Sequence, residues 1–298
     1  MVRSCWLLLL LFSANLLAAD SAVDIDSAGA LYLAAGMRAQ VQASLGPMPA
    51  KIRGLFASEP SAKLSDSQLA AVTAAAKRGF RIDVFEPPAL AAFAANLDPR
   101  TVKKSLAFLS SDVGKRMVKA DVALAELDEA TIDKVASGGQ SAPSTPKREA
   151  LLARLGEAEQ STTTAVQIYL SIGKAIAVGN ALGSGLDLEA ARQAVEKTAN
   201  PAAAQNLQES LKVPLARYLA YGYRDLSDRD LEAMLSFLES NAGKTYVHAS
   251  IAALSAGYAA MGMRSGERIG ASWRELARAR QADEPAPPDA LTAPMNPP

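Results

Sequence analysis

The stretch Ser240-Asn241-Ala242-Gly243-Lys244-Thr245 ends as a phosphate-binding loop ends, with glycine, lysine and a hydroxyl residue in succession. Such a loop turns successive backbone amides toward phosphate, and it needs the whole pattern G-x-x-x-x-G-K-[ST] between a strand and a helix. Leu238 stands where the first glycine is required, and the residues before it have helical spacing. The stretch therefore reads as a helix corner: one helix ends near Glu239, Ser240 caps the next, and Gly243 lies in its first turn. A second glycine-rich run, Gly179 to Leu188, lacks the third glycine of a dinucleotide fingerprint, since Leu188 occupies it. It reads as a helix end and turn.

Other chemistry is thinly represented. His248 is the sole histidine, and the sole cysteine, Cys5, lies near the N-terminus. Zinc sites and serine triads draw on several such residues acting together, so neither is expected, and no cofactor is implied. Carboxylate pairs need no signature spacing. Glu232 and Glu239 are candidates, on polar helix faces that also suit plain solvation. Lys103, Lys104, Lys115, Arg116 and Lys119 could face an anion, as could Arg264, Arg268, Arg274 and Arg278. Tyr218, Tyr221, Tyr223, Tyr246 and Tyr258 gather the aromatic side chains of the C-terminal half, either in its core or along a ligand groove.

The elements that hold these residues are legible. Among 298 residues, 49% are apolar and only 5% aromatic, with alanine abundant, a composition that favours closely packed helices. Thirty-one basic residues balance thirty-one acidic ones, so nucleic acid is not an expected partner. Arg3, the apolar run Cys5 to Leu17 and the small residues Ala18 to Ala22 form the three parts of a secretory signal. The apolar run is shorter than the roughly 20 residues a spanning helix needs, so no stable membrane span is expected once the signal is removed.

Two stretches are related. Leu97 to Ala120 and Leu226 to Ala249 align at a constant offset, sharing Leu97/Leu226, Arg100/Arg229, Leu106/Leu235, Phe108/Phe237, Leu109/Leu238, Ser111/Ser240, Gly114/Gly243, Lys115/Lys244, Val118/Val247 and Ala120/Ala249. Leu31 to Gly36 weakly echoes Ile168 to Gly173. Internal repetition of this kind points to a duplicated unit. In both copies apolar residues recur at steps of three and four, as on one helix face. Ser227 with Asp230, and Ser65 with Gln68, have capping-box spacing, and Asp98 precedes Pro99 as a cap precedes a first helical residue. Pro87-Pro88 is expected to precede a short helix, Asn200-Pro201 to separate two helices, and Pro214 to kink the second.

The expected fold is all-α: two tandem related helical lobes joined by a flexible linker. The segments are a signal peptide at 1–21, a first repeat domain at 22–136, a linker at 137–147, a second repeat domain at 148–280 and a disordered Pro-rich tail at 281–298.

Over Tyr221 to Tyr246 the chain resembles exported bacterial proteins grouped as domain of unknown function 2059, which have Y-x-[YF] ahead of a capped helix and F-x-x-S-x-x-G-[KR] at its end. The matching residues are Tyr221, Tyr223, Phe237, Ser240, Gly243 and Lys244, with Phe108, Ser111, Gly114 and Lys115 in a diverged first copy. The family often has proline after that serine, where this chain has Asn241 and Asp112. The resemblance implies an exported all-helical protein and brings no catalytic residue. The expectation is a periplasmic binding or interaction module without catalysis, whose partner is an envelope protein or a small apolar ligand. The alternatives are a carboxylate-dependent envelope enzyme and a carrier of apolar ligands.

Overall fold

The computed structural model describes residues 23–58, 64–140, 144–197 and 201–283. The expected signal peptide at 1–21, residues 141–143 of the expected linker and residues 284–298 of the expected tail lie outside them. Every regular element among the described residues is α-helical. Before the connecting segment come α1 (Ile25–Ala34), α2 (Met37–Leu45), α3 (Met48–Ala57), α4 (Asp66–Gly79), α5 (Ile82–Ala95), α6 (Pro99–Leu109), α7 (Asp112–Ala125) and α8 (Glu129–Ser137). After it come α9 (Pro146–Ala158), α10 (Ser161–Gly183), α11 (Leu188–Glu196), α12 (Pro201–Gly222), α13 (Asp228–Leu238) and α14 (Asn241–Asp283).

Helix starts follow local chemistry. Ser65 with Gln68 and Ser227 with Asp230 form reciprocal capping boxes, and Asp98 accepts from the Thr101 amide at 2.9 Å ahead of Pro99. Each cap satisfies donors that a helix end leaves open. Pro87 and Pro88 depart from expectation, because they lie inside α5, which begins at Ile82. Prolines there remove intrahelical donors. The buried face of Phe85, Ala89 and Phe93, packed on α14, outweighs that loss.

The organising element is α14, whose 43 residues span about 65 Å at the usual helical rise. It continues through Asp283, past the boundary expected near 280. Along its length it packs on α10 in parallel, and it also packs on α4, α5 and α6 of the first part. One apolar core therefore draws Leu31, Phe85 and Phe93 from before the connecting segment and Leu155, Leu231 and Met261 from after it. The two parts are in continuous contact.

Between α10 and α14 the backbones touch. A Cβ on Gly179 would lie 2.3 Å from the Met263 carbonyl oxygen, and one on Gly266 would lie 2.1 Å from that of Ile176. Only glycine permits this approach. Gly179 to Gly183 is thus the end of α10, and Gly185, at φ 108°, makes the turn after it. By length and composition α10 could also cross a bilayer.

The weak echo between Leu31–Gly36 and Ile168–Gly173 has no counterpart in environment. Leu31 and Tyr32 are fully buried at the end of a short helix, whereas Tyr169 is 49% exposed in the middle of α10.

Candidate ligand cavity between the two parts

Two helix corners frame the site. At the first, the Ser111 hydroxyl accepts from the Gly114 amide at 3.1 Å and donates to the Phe108 carbonyl at 2.6 Å. At the second, Ser240 makes the same pair of bonds to Gly243 and Phe237, at 3.1 and 2.6 Å. One hydroxyl thus caps the incoming helix and satisfies a carbonyl of the outgoing one. Glycine is required three residues on because a Cβ would fall 2.1 Å from the Phe108 oxygen, or 2.0 Å from that of Phe237. The glycine admits the preceding helix end at the same corner. Lys115 and Lys244 are exposed, and Phe108 and Phe237 stack on one another at 4.2 Å.

Beyond these corners, α7 and α14 both line a cavity of about 430 Å³. Met37 and Gln40 reach it from α2, Ala165 and Ile168 from α10, and Leu215 and Leu219 from α12. Its wall is predominantly apolar and comes from both parts of the chain.

One edge of the wall is polar. The Tyr223 hydroxyl lies 2.8 Å from Asp121 Oδ1 and 3.1 Å from Glu159 Oε1, while Ser161 donates to Glu159 Oε2 at 3.2 Å. Asp121 sits on the last turns of α7, Glu159 caps the C-terminus of α9, and Tyr223 follows α12. Local structure holds each in place. Gln160, at φ 52°, is the one non-glycine residue with positive φ among those described, and it swings the chain from α9 into α10 beside Glu159. Arg148, with its side chain only 12% exposed, donates to the Tyr223 carbonyl at 2.5 Å and pairs with Asp228 at 3.0 Å.

Burial governs the charges. Loss of hydration pushes the Asp121 carboxyl up to about 6, against the lowering effect of the Tyr223 bond. Loss of hydration, and then the Asp121 charge, push Glu159 up to about 7. Tyr223 is driven well above its ordinary range by burial and by both acids. A phenol has one proton to donate, so both contacts are hydrogen bonds only when a carboxyl supplies the second. Near neutral pH the geometry accommodates a protonated Glu159 donating to Tyr223 and Tyr223 donating to an ionised Asp121.

The structure separates the residues marked in the sequence. Tyr223, Tyr218 and Tyr246 line the cavity, and the Tyr218 hydroxyl donates to the Leu124 carbonyl at 2.5 Å. Tyr221 lies outside it, under the Arg224 guanidinium at 4.1 Å. Tyr258 packs edge-on to Phe85 at 5.2 Å. Glu232 pairs with Lys147 at 3.0 Å and Glu239 with Arg154 at 2.7 Å, both well exposed. His248 is exposed. Lys103, Lys104 and Lys119 are exposed too, while Arg116 pairs with Asp230 at 2.6 Å. Among the described residues no group of His, Cys, Asp and Glu is arranged to hold a metal ion. Asp121 and Glu159 carry no signal of their own in the sequence. The nearest hint is that Asp121 stands at the same offset from Ser111 as Ser250 from Ser240.

Searches of protein-family models, curated proteins and solved structures find no match to this chain.

Proposed function

We propose that this protein is an exported, non-catalytic binding module whose cavity between the two parts takes a small apolar molecule. The observation that carries this reading is the cavity itself. Its volume is within the range of small-molecule sites, and an apolar wall with a few convergent polar groups is the usual composition of such sites. A periplasmic location rests on the N-terminal signal, and origin by duplication on the aligned stretches and their matching corners. Kinship with the domain of unknown function 2059 proteins rests on the Tyr221 to Tyr246 motif.

The test is displacement of an environment-sensitive apolar dye from the purified exported protein, with mass spectrometry of lipid extracted from it. Micromolar, saturable binding is expected. Ala165→Trp, which fills the cavity, should abolish it while leaving helicity unchanged. Equal dye binding by that variant would remove the cavity from consideration.

The carboxyl pair favours a second reading, a carboxylate-dependent envelope enzyme with protonated Glu159 as acid and ionised Asp121 as base. Hydrolysis of an envelope substrate that Asp121→Asn abolishes would establish it over the first.

A further inference from the structure

We infer that the cavity's ligand is an amphipathic amine, its alkyl body against the apolar wall and its ammonium group between Asp121 and Glu159. The inference rests on the reading of the cavity as a binding site and names the chemistry of its occupant.

Two carboxyl side chains share the wall, and no lysine, arginine or histidine lines it. The titratable groups that face the pair are Tyr223 and Tyr218 from the α12 end and Tyr246 from α14; α2 and α10 contribute none. No basic group of the protein therefore balances the acids within the cavity. Buried carboxylates are ordinarily paired with a cation or fully hydrogen-bonded. Ser161 gives Glu159 one bond, but the only phenol in contact with both acids has one proton for two acceptors, so the ionised pair is short of a donor and has no positive charge beside it.

An ammonium group supplies both. It brings three N–H donors and one charge, enough to bridge the carboxylates. Tyr218, Tyr223 and Tyr246 line the same cavity, and aromatic rings attract organic cations. Thr164 Oγ1, also at the wall, is buried without a hydrogen-bond partner and can accept a further N–H. A fatty carboxylate would instead place a third acid beside two, and a neutral alcohol would leave the charge unbalanced. A cavity selecting only for apolar bulk would have no use for either acid.

Proton balance gives a signature that apolar binding lacks. Near pH 6–7 the free pair holds about one proton, and an incoming ammonium favours full ionisation, so binding releases protons. Titration calorimetry of the intact protein in two buffers of different ionisation enthalpy measures that release. The probes are dodecylamine, dodecanol and dodecanoate, each below its micelle concentration.

Dodecylammonium is expected to bind about tenfold or more tighter than dodecanol at pH 7. Dodecanoate should bind weakest. The amine preference should shrink as pH falls below about 5, where both carboxyls are protonated. Asp121→Asn with Glu159→Gln should keep dodecanol binding and lose both the preference and the proton release. The pH series on the unaltered protein supplies the same test without the variant. Dodecanol binding with no amine preference, or a preference for dodecanoate, would overturn the inference and leave the cavity reading standing. Absence of binding by any probe would overturn both.

Discussion

The corner at Ser111 and the corner at Ser240 are built alike and used differently. Each follows a helix of 11 residues, turns on one serine hydroxyl and admits only glycine three positions on. After the turn they part. Helix α7 stops after 14 residues, whereas α14 continues for 43 and becomes the spine on which α10, α4 and α5 pack. At matching positions facing the cavity, α7 carries Met117 and Asp121 where α14 carries Tyr246 and Ser250. Positions that are alike build the corners, and the differences at Met117/Tyr246 and Asp121/Ser250 set the aromatic and acidic character of the cavity wall.

Substituting the corner glycines should break the frame most severely. In Gly243→Val the added carbons meet the Phe237 carbonyl and the Leu238 backbone, so no side-chain rotation relieves the contact. The expected loss is about 4 kcal/mol or more, in the range reserved for backbone and overpacking faults. Gly114→Val meets the same obstacle at Phe108 and Leu109 but disturbs the corner between α6 and α7, not the start of α14. Urea unfolding should rank Gly243→Val as the worse of the two, and an equal cost would deny α14 its special place.

Asp121 and Ser250 stand at matching positions and differ in charge. Burial holds the Asp121 and Glu159 pKa values, about 6 and about 7, above those of the unfolded chain. The folded state therefore keeps protons that the unfolded state has released. Their contribution to stability is fully present below about pH 4 and is lost as pH rises through about 7. At about 1.4 kcal/mol per unit, the pair should cost a few kcal/mol between pH 4 and pH 8. Asp121→Asn with Glu159→Gln should flatten the profile measured by thermal unfolding. Ser250→Asp should steepen it by adding an acid to the same cavity.

The frame was legible in the sequence and the site was not. Capping boxes at Ser65 and Ser227, and serine corners at Ser111 and Ser240, are satisfied within a few residues, so residue types at fixed spacing report them. Tyr223 was visible as a motif position, but its partners Asp121 and Glu159 come from other helices, 102 and 64 residues away. No local spacing encodes such a meeting. The prolines at 87 and 88 differ from their local signal for a related reason: local propensity argues against a helix there, and contact with α14 enforces one.

A smaller effect tests whether the serine corners are equivalent. Ser111→Ala and Ser240→Ala each remove an N-cap acceptor and the bond to a phenylalanine carbonyl. Each should cost about 1 kcal/mol, the usual value of a cap. Ser240 is part-buried and Ser111 exposed, so water can replace the lost bonds more readily at Ser111. Denaturant midpoints should therefore move further for Ser240→Ala.

The finest test concerns the place where the two corners meet. Phe108 and Phe237 occupy matching positions and lie nearly parallel, 8° apart, with ring centres 4.2 Å apart. Phe237 also leans on Tyr246 at 6.0 Å, whereas Phe108 has no second ring contact among those observed. Truncating Phe237 to leucine should consequently cost more than truncating Phe108. A double-mutant cycle separates the shared stack from these private contacts, and the coupling should be about 0.5–1.5 kcal/mol. A coupling near zero would mean that the two corners are neighbours held in place by their surroundings. A coupling within that range would make the stacked pair itself a joint between them, so that the phenylalanine at each corner both closes that corner and fastens it to the other.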